Sequence, residues 1–79
     1  MADRRLQVFH TVARLLSFTK AAENLHMTQP AVTFQVRQLE EHFNTRLFDR
    51  THNRISLTDA GKRVYEFSDR IFELYSEME

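Results

Sequence analysis

The stretch TQPAVTFQVR, residues 28 to 37, carries no charge until its tenth residue. Its side chains are nonetheless of kinds that read a hydrogen-bonding surface. The Gln29 amide holds a donor beside an acceptor, which pairs with the edge of adenine and, less selectively, with other bases. Thr33 offers a hydroxyl and a methyl, while Pro30 and Phe34 are apolar groups that can touch thymine methyls. Charge stands at the margins: Lys20 before the stretch, Arg37 at its end, Arg50 and Arg54 beyond it. That division suits a duplex, where phosphate contacts position a protein and base edges specify the site.

Each of these residues also has a plainer role. A Phe such as Phe34 is usually core. Arg37 can pair along its helix with Glu41, four residues on. Lys20 can be solvated, Gln29 can help to cap its helix, and His52 can be a solvent-facing loop residue. Angular position decides for Phe34. At about 100° per residue, Val32, Val36, Leu39 and Phe43 fall on one side of a helix over residues 28–43, and Phe34 falls almost opposite. Pro30, Arg37 and Gln38 share that outward side, with Thr33 on its flank.

Catalytic chemistry finds no support. There is no cysteine, no glycine-rich phosphate loop and no nucleophile elbow. The one adjacent acid pair, Glu40 and Glu41, points about 100° apart on a helix and shares no site. His10, His26, His42 and His52 lack the i, i+4 pairing of a helical zinc site. No catalytic residue, metal ligand or cofactor is expected, and the chain reads as a non-enzyme.

The positioning elements follow from local signals. Asp3 is an N-cap for a helix from Arg4 to about Leu16, with Leu6, Phe9, Ala13 and Leu16 as an inward stripe and Val8, Val12 and Leu15 widening it. Ser17 caps a two-turn helix to Leu25, and His26 takes the left-handed position that ends it. Thr28 caps the third helix, and Pro30 falls in its first turn, where no intrahelical donor is lost. After Asn44, LFDR and RISLT are short strands around THN, a β-hairpin with a basic loop. Thr58 caps a last helix. There Ala60, Val64, Phe67, Ile71, Leu74 and Met78 recur at heptad spacing, flanked by Tyr65, Phe72 and Tyr75. This seam is read as core shared with the first helix and with a partner helix. The pattern still runs where the sequence stops, which is expected of one piece of a longer protein.

Seventy-nine residues bound the chain to one small domain with a small core. No apolar run is long enough to cross a bilayer. With no cysteine, the reading is a soluble protein of a reducing compartment. The formal net charge is zero, but the sum hides a gradient. Up to Val64 there are ten Lys and Arg against six Asp and Glu; from Tyr65 there is one base against five acids. A basic body with an acidic end hints weakly at nucleic acid.

Two short helices joined by a tight turn, one helix leading in and a basic hairpin leading out, make a mainly α winged helix-turn-helix followed by a long helix. The combination of SFTKAAENLH, TQPAVT, QLE, RLFDR and LTDAG, in that order, resembles the N-terminal DNA-binding domain of LysR-type bacterial transcriptional regulators. The resemblance runs from Leu6 to Gly61. It implies a winged domain over residues 1–58 and a linker helix over 59–79, which pairs with that of a second subunit through Val64, Phe67, Ile71, Leu74, Tyr75 and Met78. It implies base-facing positions at Gln29, Pro30 and Thr33, backbone positions at Thr28 and Arg37, and a wing of Arg50, Thr51, His52, Asn53 and Arg54 on phosphate and the minor groove. To these the residue readings above add Phe34 on the base side and Lys20 on the backbone.

The expected partners are double-stranded DNA at an AT-containing interrupted palindrome and a second copy of the chain, with higher oligomers in full-length members. A small-molecule effector would enter only through a C-terminal domain outside this sequence. No membrane partner is expected, and the location is the bacterial cytoplasm at the nucleoid. Two departures stand out. The family often has a basic or polar residue where Phe34 stands, and a wing tip richer in Arg and Gly than THN. Fewer phosphate contacts are expected, with a salt slope shallower by about one unit per lost contact. The competing class is a helical protein-interaction module working through the heptad seam.

Overall fold

The structure, a computed structural model, describes residues 3–79. The elements are α1 (Arg4–Leu15), α2 (Phe18–Leu25), α3 (Gln29–Phe43), β1 (Phe48–Thr51), β2 (Arg54–Leu57) and α4 (Asp59–Met78). The helix starts are where the caps predict. Side chains of Asp3, Ser17, Thr28 and Thr58 accept from the backbone N–H groups of Arg5, Lys20, Ala31 and Gly61. Each satisfies a donor that the first turn leaves without a helical partner. The Arg5 side chain also hydrogen-bonds the Asp3 carboxylate, at 3.0 and 3.2 Å, and holds its pKa below the usual 3.8.

Three helices close with a left-handed residue, at Leu16 (φ 50°), His26 (φ 56°) and Asn44 (φ 53°). His26 takes the position the sequence predicts. Leu16 does not: it leaves the helix and is 49% exposed instead of extending the inward stripe. A left-handed cap rotates its side chain off the face that Phe9 and Ala13 share.

The core lies where α1 crosses α2 and α3. Val8, Phe9, Val12, Ala21 and Val32 are fully buried, with Phe18, Val36 and Leu39 close behind. The aliphatic seam of α3 ends at Leu39, one turn earlier than its spacing suggests. Phe43 is 46% exposed and lines an apolar groove with Leu6, Val64, Phe67 and Ile71. Leu47 and Phe48 complete the core, and Phe48 sits against the rings of Phe9 and Phe18, at 5.2 and 5.6 Å between centroids. The hairpin is thereby anchored by its first residue.

Glu40 clamps the passage from α3 to β1. Its carboxylate accepts from the N–H groups of Leu47 (2.9 Å) and Phe48 (3.4 Å) and lies 3.7 Å from the Arg46 Nε. Thr58 ties the far end of the hairpin to the same loop: its hydroxyl donates to the Arg46 carbonyl at 2.7 Å and its N–H to that of Leu47 at 3.1 Å. Gly61 lets α4 leave at this point. A Cβ there would run into the Leu47 carbonyl and come within 3.0 Å of Leu57 Cδ2. Only a residue without a side chain permits so close an approach.

Candidate nucleic-acid interface

Helix α3 turns its first turns outward. Gln29, Pro30 and Arg37 are exposed, Thr33 is half-buried on the flank, and Phe34 is 58% exposed. These residues line one open face. Val32, Val36 and Leu39 on the opposite side of the helix are buried, so Phe34 sets an apolar ring at the centre of the exposed face. Gln38, expected outward, is instead half-buried. Gln29 does not cap its helix, since Thr28 does. Its carbonyl oxygen lies 3.5 Å from the Thr19 hydroxyl, a long contact that leaves the amide free to meet a partner. Arg37 and Glu41, both exposed, are not among the ion pairs formed by the described residues.

The hairpin stands beside this helix. β1 and β2 pair antiparallel, Phe48 with Leu57 through Thr51 with Arg54. The turn is shorter than THN: only His52 (φ 54°) and Asn53 (φ 61°) connect the strands, both left-handed. That is the signature of a two-residue type I′ turn, whose twist matches the strands. Asn and His are among the non-glycine residues that best tolerate it. Thr51, expected in the loop, is therefore the last residue of β1.

Strand alternation puts Arg50 on the same face as Phe48. Its guanidinium lies 4.3 Å from the centroid of the Phe18 ring. Such a contact is worth roughly 0.5–1 kcal/mol at an exposed site and restricts a flexible cation before any ligand arrives. Gln29, Arg50, His52, Asn53 and Arg54 border one groove between the start of α3 and the wing. Lys20, Thr28 and Thr51 do not border it. Lys20 and Thr51 are exposed nearby in the chain, on α2 and β1, and the Thr28 oxygen is engaged as the cap.

No acid borders this groove or the open face of α3. Glu40, beneath the adjoining cleft, has Arg46 and two backbone N–H groups against it. Sequence reading missed Thr19, Phe18 as a platform for Arg50, and Glu40 as the anchor of the wing. Contacts from α2 to β1 and from α3 to the loop ahead of β1 leave no mark in local periodicity.

On α4, Val64 packs against the chain's own core, while Phe67, Ile71, Leu74 and Met78 are 55, 37, 62 and 76% exposed. Tyr65, Phe72 and Tyr75 are half-buried on another flank. The seam thus starts as core and continues as an apolar surface.

Three helices with a tight turn between α2 and α3, and a two-stranded wing after them, define a winged helix-turn-helix. The chain belongs to the LysR family: residues 4–62 match the family described as "Bacterial regulatory helix-turn-helix protein, lysR family". It is 49% identical over 76 residues to a RuBisCO operon transcriptional regulator of Allochromatium vinosum, covering 96% of this chain and 25% of that protein. It is 50% identical over 68 residues to the HTH-type transcriptional regulator CfxR of Cupriavidus necator, covering 86% and 22%.

Several solved structures are similar, among them two DNA complexes. One is the BenM_DBD/catB site 1 DNA complex, at TM-score 0.91 and 31% identity over 99% of this chain and 87% of that one. The other is the CbnR_DBD–DNA complex, at TM-score 0.86 and 37% identity over 99% and 90%. The chain spans about a quarter of the length of the curated relatives it matches.

Proposed function

We propose that this chain is the DNA-binding part of a transcriptional regulator, a sequence-specific reader of double-stranded DNA that catalyses no reaction. Helix α3 enters the major groove. Gln29, Pro30, Thr33 and Phe34 face base edges, and Lys20, Thr28, Arg37, Arg50, Thr51 and His52 hold the sugar-phosphate backbone. Asn53 and Arg54 reach the minor groove, and Arg54 also touches phosphate. The winged domain covers residues 1–58, and residues 59–79 form a dimerisation helix joining two copies through Val64, Phe67, Ile71, Leu74, Tyr75 and Met78. The dimer reads an interrupted palindrome at the bacterial nucleoid. The observation that carries this reading is the bare outer face of α3, with Phe34 exposed at its centre and an acid-free, cation-bordered groove beside it. Two solved structures of the same fold are DNA complexes.

Four cations, Lys20, Arg37, Arg50 and Arg54, are exposed on or near this surface. If all four touch phosphates in each subunit, a dimer makes eight contacts, and log K should fall with log salt at a slope of about −7. Fluorescence anisotropy on duplex DNA between low and moderate salt measures this. Affinity that barely responds to salt, or no DNA signal at all, would discard the reading and leave the exposed seam of α4 as the working surface of a protein-interaction module.

A further inference from the structure

Helix α4 is held to the rest of the chain by side-chain polar contacts at two places among the described residues. One is its root, where Thr58 bonds the Arg46 carbonyl. The other is about 16 Å further along, at eleven residues of about 1.5 Å rise. There His10 of α1 places its Nε2 3.0 Å from Asp69 Oδ1. The same imidazole stacks on Tyr65, 5.1 Å between centroids at 12°, and meets Phe72 at 5.1 Å and 59°. The His10 side chain is only 16% exposed and that of Asp69 56%. Apolar packing alone lets two helices rock through small angles, whereas a hydrogen bond has a direction and a narrow range of length.

We propose that His10 and Asp69 form a positioning pin that holds α4 at one angle to the winged body, and so sets which half-site spacing a dimer accepts. The proposal rests on the DNA reading above and on pairing through α4. One base pair added between half-sites moves them apart by about 3.4 Å and turns one against the other by about 35°. A body fixed to its dimerisation helix at two points resists that change; a body hinged at the root follows it.

The test has two arms. The first is a distance measurement without DNA: spin labels on Glu41→Cys and Glu73→Cys, both at exposed positions of a chain with no other cysteine, diluted with unlabelled protein. The second is affinity for duplexes whose half-sites are moved by one base pair either way. The wild type should show one narrow distance and a clear preference for one spacing. Asp69→Ala, on the exposed side of the pair, and His10→Phe, which keeps the ring stack, should broaden the distance. They should lower the spacing penalty about three- to ten-fold, the factor one net hydrogen bond represents, with single half-site affinity unchanged. Asp69→Asn, which keeps an acceptor, should retain most of the preference. An unchanged distance and spacing penalty in folded Asp69→Ala overturns the pin, as does a broad distance already in the wild type. A wild type with a narrow distance that binds no duplex overturns the DNA reading instead, and the distance arm then decides the pin.

Discussion

Replacing Glu40 with Ala should loosen the wing from the body. The Glu40 carboxylate accepts from the N–H groups of Leu47 and Phe48, whose residues are 0 and 2% exposed. Without it those donors lose their partner in a place water reaches poorly. A buried donor left unsatisfied costs about 1–3 kcal/mol. The 2.9 Å bond from Leu47 should count near the middle of that range, and the 3.4 Å bond from Phe48, longer than the usual limit of about 3.2 Å, less. Arg46 adds little, since its side chain is 73% exposed and screened. The sum is about 3 kcal/mol, which for a chain of this size lowers the melting temperature by about 12–24 °C. Thermal unfolding followed by circular dichroism measures it. Both N–H groups donate to the same oxygen, Oε2, so Glu40→Gln, with its carbonyl oxygen in that place, should keep both bonds and lose much less than Ala. A melting temperature within about 2 °C of wild type for Glu40→Ala, or equal losses for Ala and Gln, would refute the clamp.

Gly61→Ala tests a sign. Alanine in a helix normally stabilises by about 1 kcal/mol over glycine. Here the new Cβ meets the Leu47 carbonyl, which the Thr58 N–H holds in place, so a loss of about 1–3 kcal/mol is expected in chemical denaturation. Gln29→Ala or Thr33→Ala should cost about 1–3 kcal/mol on a preferred duplex and relax base preference. Equal weakening on all sequences would move Gln29 off the base edges. Arg54→Ala should weaken every duplex alike and flatten the salt slope by about one unit per subunit; an unchanged slope would take Arg54 off the phosphates. The lowered pKa of Asp3, caused first by the Arg5 side chain, means its contribution to stability is present above the ordinary value near 3.8 and disappears as pH falls through the folded value. In Asp3→Asn the acid limb of a stability–pH curve should therefore be shallower.

Much of this architecture is legible in short stretches of chain. Asp3, Ser17, Thr28 and Thr58 mark helix starts because a cap acts within three residues of itself. His26 is foreseeable as a left-handed residue for the same local reason. Phe34 faces outward by helical arithmetic alone, once Val32, Val36 and Leu39 define the buried side. The ordered set of motifs from Ser17 to Gly61 was enough to identify the family. The length of a seam is a different matter. Spacing carries the apolar stripe on to Leu16 and Phe43, but where it stops being core depends on where the neighbouring helices end.

Folding alone settles the contacts between distant segments. Arg50 reads as a free basic residue until β1 is laid across Phe18, thirty-two positions earlier. Glu40 reads as one of two surface acids until the chain brings the N–H groups of Leu47 and Phe48 back against it. His10 and Asp69 are fifty-nine residues apart and meet only because α4 returns along α1. Capping and periodicity are short-range effects of one backbone on itself, so they are written into adjacent residues. These other contacts come from packing between elements, and their partners lie from seven to fifty-nine residues apart, beyond the reach of a cap.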